Sequence, residues 1–173
     1  MSTAQKSALK VGPTDQGCCI RVEGAGTVRQ SQAAANMAAQ TLGGSSDAVV
    51  VIDLSECDYL DSTFIGCLLE LHRLWGTAKP PRCVLAGSSQ KVKQLVTVRG
   101  ADRVLSASAI DAPPAVRGDW VVLAHDNASR AELMRHVMEC HRALAQLDTP
   151  MKKAFAKIAD GIERDLGKAA PHA

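Results

Sequence analysis

Aromatic residues are almost missing from this chain: they make up 3% of 173 residues, as two Phe, two Trp and one Tyr. That scarcity argues against a surface that stacks nucleic-acid bases. With 46% hydrophobic residues in all, the core has to be aliphatic. An excess of one charge is missing too. Twenty basic residues face 18 acidic ones; residues 1–117 hold 12 and 10, and residues 118–173 hold 8 of each. Neither half forms a polybasic surface, so neither nucleic acid nor an anionic membrane is an expected partner. No apolar run approaches the ~20 residues that cross a bilayer, so membrane insertion is not expected. The N-terminal MSTAQKSALK lacks the apolar core of a secretory leader.

Metal and redox motifs are lacking as well. Cys18, Cys19, Cys57, Cys67, Cys83 and Cys140 form no CxxC pair, and none has a histidine at metal-ligand spacing. Most lie in apolar runs, where a free thiol behaves as a small buried hydrophobe. A reducing cytoplasm suits that usage. Gly24-Ala25-Gly26 follows a strand pattern without the third glycine of a dinucleotide loop, and no phosphate-binding P-loop is present. No cofactor is expected.

The patterns that remain are those of an α/β chain. Residues 8–11 read as a short edge strand, with Pro13, Asp15 and Gly17 marking a turn. Cys18–Glu23 alternates, Cys18, Ile20 and Val22 against Cys19, Arg21 and Glu23, and Gly24 and Gly26 are expected to break it. Ser31–Leu42 is helical, with Ser31 as the N-cap and Gly43-Gly44 as the stop. Ala48–Leu54 is a continuous apolar run, as in a strand buried on both faces. Ser55–Leu60 reads as a loop, Ser62–Trp75 as an apolar helix, Arg82–Ala86 as a strand, and Ser88 or Ser89 to Arg99 as a helix with Val92, Leu95 and Val96 inward. Val104-Leu105 reads as the start of a strand.

Asp111–Gly118 resembles a linker, and Trp120–Ala124 is apolar enough for one more strand. Ser129–Leu147 and Met151–Leu166 then form two helical stripes, the second capped by Thr149 with Pro150 at its first position. This pair is expected to cover the sheet or to form a homodimer. The closing KAAPHA is expected to fray. The expected division is 1–110 for the α/β domain, 111–127 for a linker with an extra strand, and 128–168 for a helical hairpin.

One segment carries a candidate site. The buried strand ends at Asp53, a loop follows, and Asp61 precedes Ser62, Thr63 and a helix. From local chemistry, Ser62 is first a helix cap, worth ~1 kcal/mol. The same helix end would favour an added phosphate, opposed by Asp61. The acidic residues Asp53, Glu56, Asp58 and Asp61 read as a solvated loop before a metal or acid–base site. The five histidines, His72, His125, His136, His141 and His172, read as surface residues. His72 is ten residues along the helix from Ser62, ~15 Å away and out of hydrogen-bond reach. His136 and His141, five apart, miss the spacing of a helical metal pair. No enzyme is expected.

Asp53-Leu54-Ser55 followed by Asp61-Ser62-Thr63-Phe64-Ile65-Gly66 resembles the signature of the STAS family of bacterial anti-sigma-factor antagonists, in which D-L-S leads to D-S-[ST]-G-[LI]-G. The resemblance covers roughly residues 7–110. It implies a mixed β-sheet with helices packed mainly on one side, here with a C-terminal helical extension. It also implies that Ser62, with Thr63 as the adjacent alternative, accepts phosphate from a GHKL-type serine kinase that doubles as the anti-sigma factor. A metal-dependent serine/threonine phosphatase would reset it. Asp53, Asp61, Ser62, Thr63 and Phe64 would form the partner surface. Phe64 stands where the family carries glycine, offering a partner contact or packing inward. The aspartate usual after the second strand is missing near Gly26. The alternative is an unphosphorylated STAS scaffold or subunit of a larger complex, such as a lipid-transport accessory subunit.

Overall fold

The computed structural model describes residues 7–97, 99–124 and 127–169. Along the chain lie β1 (Ala8–Thr14), β2 (Gly17–Gly26), α1 (Val28–Gly44), β3 (Val49–Asp53), β4 (Cys57–Leu60) and α2 (Ser62–Leu71). Helix α2 runs on into one π-helical turn, His72–Gly76. Then come β5 (Cys83–Ala86), α3 (Ser89–Thr97), α4 (Asp102–Leu105), β6 (Val121–Val122), α5 (Arg130–Ala145) and α6 (Lys152–Ala169).

β2 organises the sheet. It pairs antiparallel with β1 through a turn at Asp15-Gln16, and parallel with β3, which pairs parallel with β5. The spatial order is β5-β3-β2-β1-β6, and β4 joins the far end of β2. As the alternation in β2 implied, Cys18, Ile20 and Val22 enter the main core with residues of α1, α2 and α3. Cys19 faces the other way, beside Val51 and Ala86. Val116 and Trp120 pack on that second face, so the linker-like segment partly covers it. The sheet is mixed and the helices lie mainly on one side.

Several elements differ from the sequence reading. β1 is seven residues long and is no edge strand, because Lys10 and Val11 pair with Val122 and Val121 of β6. β2 continues through Gly24 to Gly26 because the segment expected as a loop supplies β4. Cys57 pairs with Gly24, and after a register shift Tyr59 and Leu60 pair with Ala25 and Gly26. α1 begins three residues earlier than Ser31. Thr27 is its N-cap, and the Gln30 side chain accepts the Thr27 N–H at 2.9 Å. Val104-Leu105 lies in α4, not in a strand. Two apolar residues between polar ones are too short a pattern to distinguish the two.

The C-terminal pair is a helical hairpin, but it packs on α2 and along α1, not on the sheet. α5 starts as read, with the Ser129 hydroxyl accepting the Glu132 N–H at 3.2 Å and the Glu132 carboxylate accepting the Ser129 N–H at 2.7 Å. Thr149 does not cap α6 through its side chain: its hydroxyl oxygen is buried without a partner. The stripe on α6 is only partly covered. Phe155 is buried, while Met151 and Ile158 are exposed. Most of the closing KAAPHA lies outside the described residues.

Candidate functional site

β4 ends at Leu60 beside Gly26, and the chain turns there into α2. The Asp61 N–H donates to the Gly26 carbonyl at 3.0 Å, fixing the turn to the end of β2. The Asp61 side chain then serves two helices at once. Its Oδ1 accepts the Phe64 N–H of α2 at 2.8 Å, and its Oδ2 accepts the Val28 N–H of α1 at 2.8 Å. Asp61 is therefore the N-cap of α2, and Ser62 is the first helical residue. The cap expected of Ser62 belongs to its neighbour, which leaves the Ser62 hydroxyl free for another bond. A carboxylate at two helix starts also meets the positive end of both dipoles. Asp61→Ala is expected to cost roughly 2–4 kcal/mol, from two caps at about 1–2 kcal/mol each. Asp61→Asn, which keeps both acceptor geometries in reach of one oxygen only, should fall between. Urea denaturation of the three proteins checks this order.

Two glycines let the site close up. A Cβ on Gly26 would lie 2.6 Å from Leu60 Cδ2 and 2.9 Å from Phe64 Cδ2. The Phe64 ring thus fills the space next to a bare backbone, and Phe64 is fully buried. Of the two alternatives for Phe64, the inward one holds. Gly66, one turn into α2, has the backbone of α5 against it: a Cβ there would sit 2.2 Å from the Cys140 carbonyl oxygen.

α5 brings two histidines to the site. His141 is buried, its Nδ1 2.8 Å from the Val137 carbonyl oxygen. A carbonyl only accepts, so Nδ1 carries the proton and, in the neutral ring, Nε2 is an acceptor. The Ser62 hydroxyl lies 3.4 Å from that Nε2, a long contact in which Ser62 donates. The other side of the ring packs against Phe155 of α6, with centroids 5.8 Å apart. His136 is the mirror case. Ser31 donates its hydroxyl proton to the Val28 carbonyl at 2.7 Å, so its oxygen accepts from His136 Nε2 at 2.8 Å. Burial holds the His136 pKa below its usual range, with Asp61 pulling the other way. The Cys67 thiol of α2 donates to the Ser31 carbonyl at 3.4 Å, and the Cys140 thiol of α5 lies 3.7 Å from His136 Nε2; the neighbouring Cys67 thiol and burial push the Cys140 thiol up.

The other expected site residues are dispersed. Asp53 is fully buried; its Oδ2 accepts from Arg21 Nε at 2.7 Å and its Oδ1 from the Ser55 N–H at 3.0 Å. The Arg21 guanidinium in turn lies 4.1 Å from the Trp120 ring centroid. Asp53 therefore braces the sheet from inside and offers no surface. Thr63 is also buried, so Ser62 is the more exposed hydroxyl of the pair. Within the acidic group, Asp58 pairs with Lys91 at 3.6 Å and Glu56 is exposed, so these carboxylates do not converge. Among the described residues no group of three or more His, Cys, Asp or Glu is placed to hold a metal ion. None of their helices is long and apolar enough to cross a membrane. All six cysteines are free and buried.

The sequence reading puts His136 and His141 on the surface; the structure instead sets His136 against Ser31 of α1 and His141 against Ser62 of α2, while His125 and His172 lie outside the described residues. A signal for them existed. On α5 the apolar residues Leu133, Val137, Cys140 and Leu144 mark one face, and His136 and His141 are each adjacent to a member of that row.

Residues 9–106 match the family model described as "Mlab, STAS domain". No curated protein matches the chain.

Proposed function

Because the chain belongs to the STAS domain family, we propose that it is a cytoplasmic regulatory protein of the anti-sigma-factor-antagonist kind, without catalytic activity of its own, whose binding to an anti-sigma factor with GHKL-type kinase activity is switched by phosphorylation of Ser62. One observation carries the reading. Ser62 is the first residue of α2, its backbone neighbour Asp61 already caps the helix, and its hydroxyl makes one long contact, 3.4 Å to His141 Nε2, in place of a cap. A phosphate can therefore be added there without removing a cap, and it changes the charge of the surface by ≈ −1.5 to −2. The nearby Asp61 carboxylate opposes that charge, while the helix start favours it. A changed surface on an intact fold is what a binding switch needs.

The Ser62–His141 pair is not read as a nucleophile and base. The His141 ring is held between Phe155 and its own helix, and the Asp61 carboxylate beside Ser62 in the chain is taken up by two helix starts. The second reading, an unphosphorylated STAS scaffold or complex subunit, draws on a different observation: Ser62 is only half exposed, next to α5.

Incubation with a GHKL-type kinase and ATP, followed by phosphopeptide mapping, separates the two. The switch predicts phosphate on Ser62, none in Ser62→Ala, and partner affinity at least tenfold weaker in Ser62→Asp, about 1.4 kcal/mol. Absence of phosphate on Ser62, with both variants binding as the parent does, would leave the scaffold.

A further inference from the structure

The surface that the switch would use is already occupied. We propose that the α1–α2 face around Ser31, Ser62 and Gly66 is a helix-receiving surface, that α5 fills it in cis as a displaceable cap, and that a partner gains the face only when the hairpin lifts. The inference rests on Ser62 marking the docking face.

The seat is specific. Gly66 has no side chain where the Cys140 carbonyl arrives, so the two backbones meet at that point. Two hydrogen bonds flank the crossing, Ser31–His136 at 2.8 Å and Ser62–His141 at 3.4 Å, and the Cys67 thiol donates to the Ser31 carbonyl while the Cys140 thiol faces His136. A competing helix has to offer the same things: a close backbone approach at Gly66, an acceptor for Ser62 and a donor for Ser31.

The seat is also narrow. On α5 the buried residues are confined to Cys140, His141, Ala143, Leu144 and Ala145. Leu133, Met134, Val137 and Met138 are only half-buried. Ahead of the crossing, α5 stands off from α1 and α2 and leaves a groove of about 420 Å³, with Ala35, Leu71 and Trp75 on one side and His136 and Glu139 on the other. The polar contacts at the seam can be replaced by water when α5 leaves, unlike contacts between apolar side chains. The hairpin also has ties of its own, His141 on Phe155 and Arg142 to Glu163 at 2.7 Å, so α5 and α6 move as one unit. Units of this kind open below the energy of global unfolding.

The cysteines supply the test in the full-length protein. Cys67 and Cys140 are covered by the α2–α5 contact, whereas Cys18 and Cys83 belong to β2 and β5 in the sheet core. Under native conditions with N-ethylmaleimide, peptide mapping should show Cys67 and Cys140 reacting together, at least roughly tenfold faster than Cys18 and Cys83. Gly66→Ala, whose Cβ displaces the Cys140 carbonyl, should widen that ratio. One common rate for all four thiols would overturn the proposal, because the hairpin would then open only with the whole fold. An unchanged ratio in Gly66→Ala would overturn it too, because the crossing at Gly66 would not be the seat. If Gly66→Ala does not fold, His141→Leu, which removes the acceptor for Ser62 while keeping an apolar group on Phe155, gives the same comparison. The labelling uses neither kinase nor partner. A chain that opens but never takes phosphate therefore removes the switch and leaves the cap.

Discussion

Phe64→Ala is expected to destabilise the chain by about 3–5 kcal/mol, the range for emptying a fully buried aromatic site. For a chain of this size that corresponds to a fall in Tm of roughly 6–20 °C. The cost should be at the high end, because the ring is enclosed by Leu60, by the bare backbone of Gly26 and by the first turn of α2. The turn at Asp61 is fixed by three hydrogen bonds and cannot move in to fill the hole. A double-mutant cycle gives the sharper result. Gly26→Ala alone pushes a methyl into the ring, whereas in the Phe64→Ala background the ring is absent, so the second substitution should cost less there by about 0.5–3 kcal/mol. Additive effects would show that the Gly26–Phe64 contact does not shape the site.

Arg21→Met is expected to cost about 3 kcal/mol or somewhat more. Removing one partner of a buried ion pair leaves the other charge without compensation, typically at 3–5 kcal/mol. The Arg21 side chain is 26% exposed, while that of Asp53 is 0% exposed, which sets the value near the lower end and places the burden on Asp53. About 0.5–1 kcal/mol of this is the lost stacking of the guanidinium on Trp120. Asp53→Asn should then recover at least half of the loss when added to Arg21→Met, since it deletes the orphaned charge and keeps an acceptor for the Ser55 N–H. Chemical denaturation of the single and double variants measures both. A cost under about 1 kcal/mol for Arg21→Met would mean that water reaches Asp53.

These two residues also show which parts of the molecule could be read in advance. The buried run ending at Asp53 and the alternation of Cys18–Glu23 were legible because each is a local period set by one buried face or two. The start of α2 after Asp61 was legible for the same reason. Phe64 was not, because its direction depends on Gly26, which is adjacent only once β4 has paired with β2. That pairing was itself hidden: Cys57–Leu60 is four residues long, with its middle two exposed, and its partner strand runs through two glycines. At the site, Ser62 and Asp61 could be placed from sequence, but not their roles. The cap passed from serine to aspartate because the carboxylate reaches Val28 as well as Phe64, a contact 33 residues away in the chain. The histidines of α5 lie further still, His141 being 79 residues from Ser62. No local pattern reports a contact at that separation.

The contact at Gly66 has a consequence for the order in which the protein is made. Everything that builds the sheet and the α1–α2 face precedes α5 in the chain, and synthesis proceeds from the N-terminus at roughly 5–20 residues per second. For roughly 2–8 seconds while the last two helices are being added, the nascent chain carries a finished face with nothing of its own to put on it. A helix from another protein meets no competitor during that interval. The exclusion that α5 exerts on the finished chain therefore begins only once α5 itself has been made.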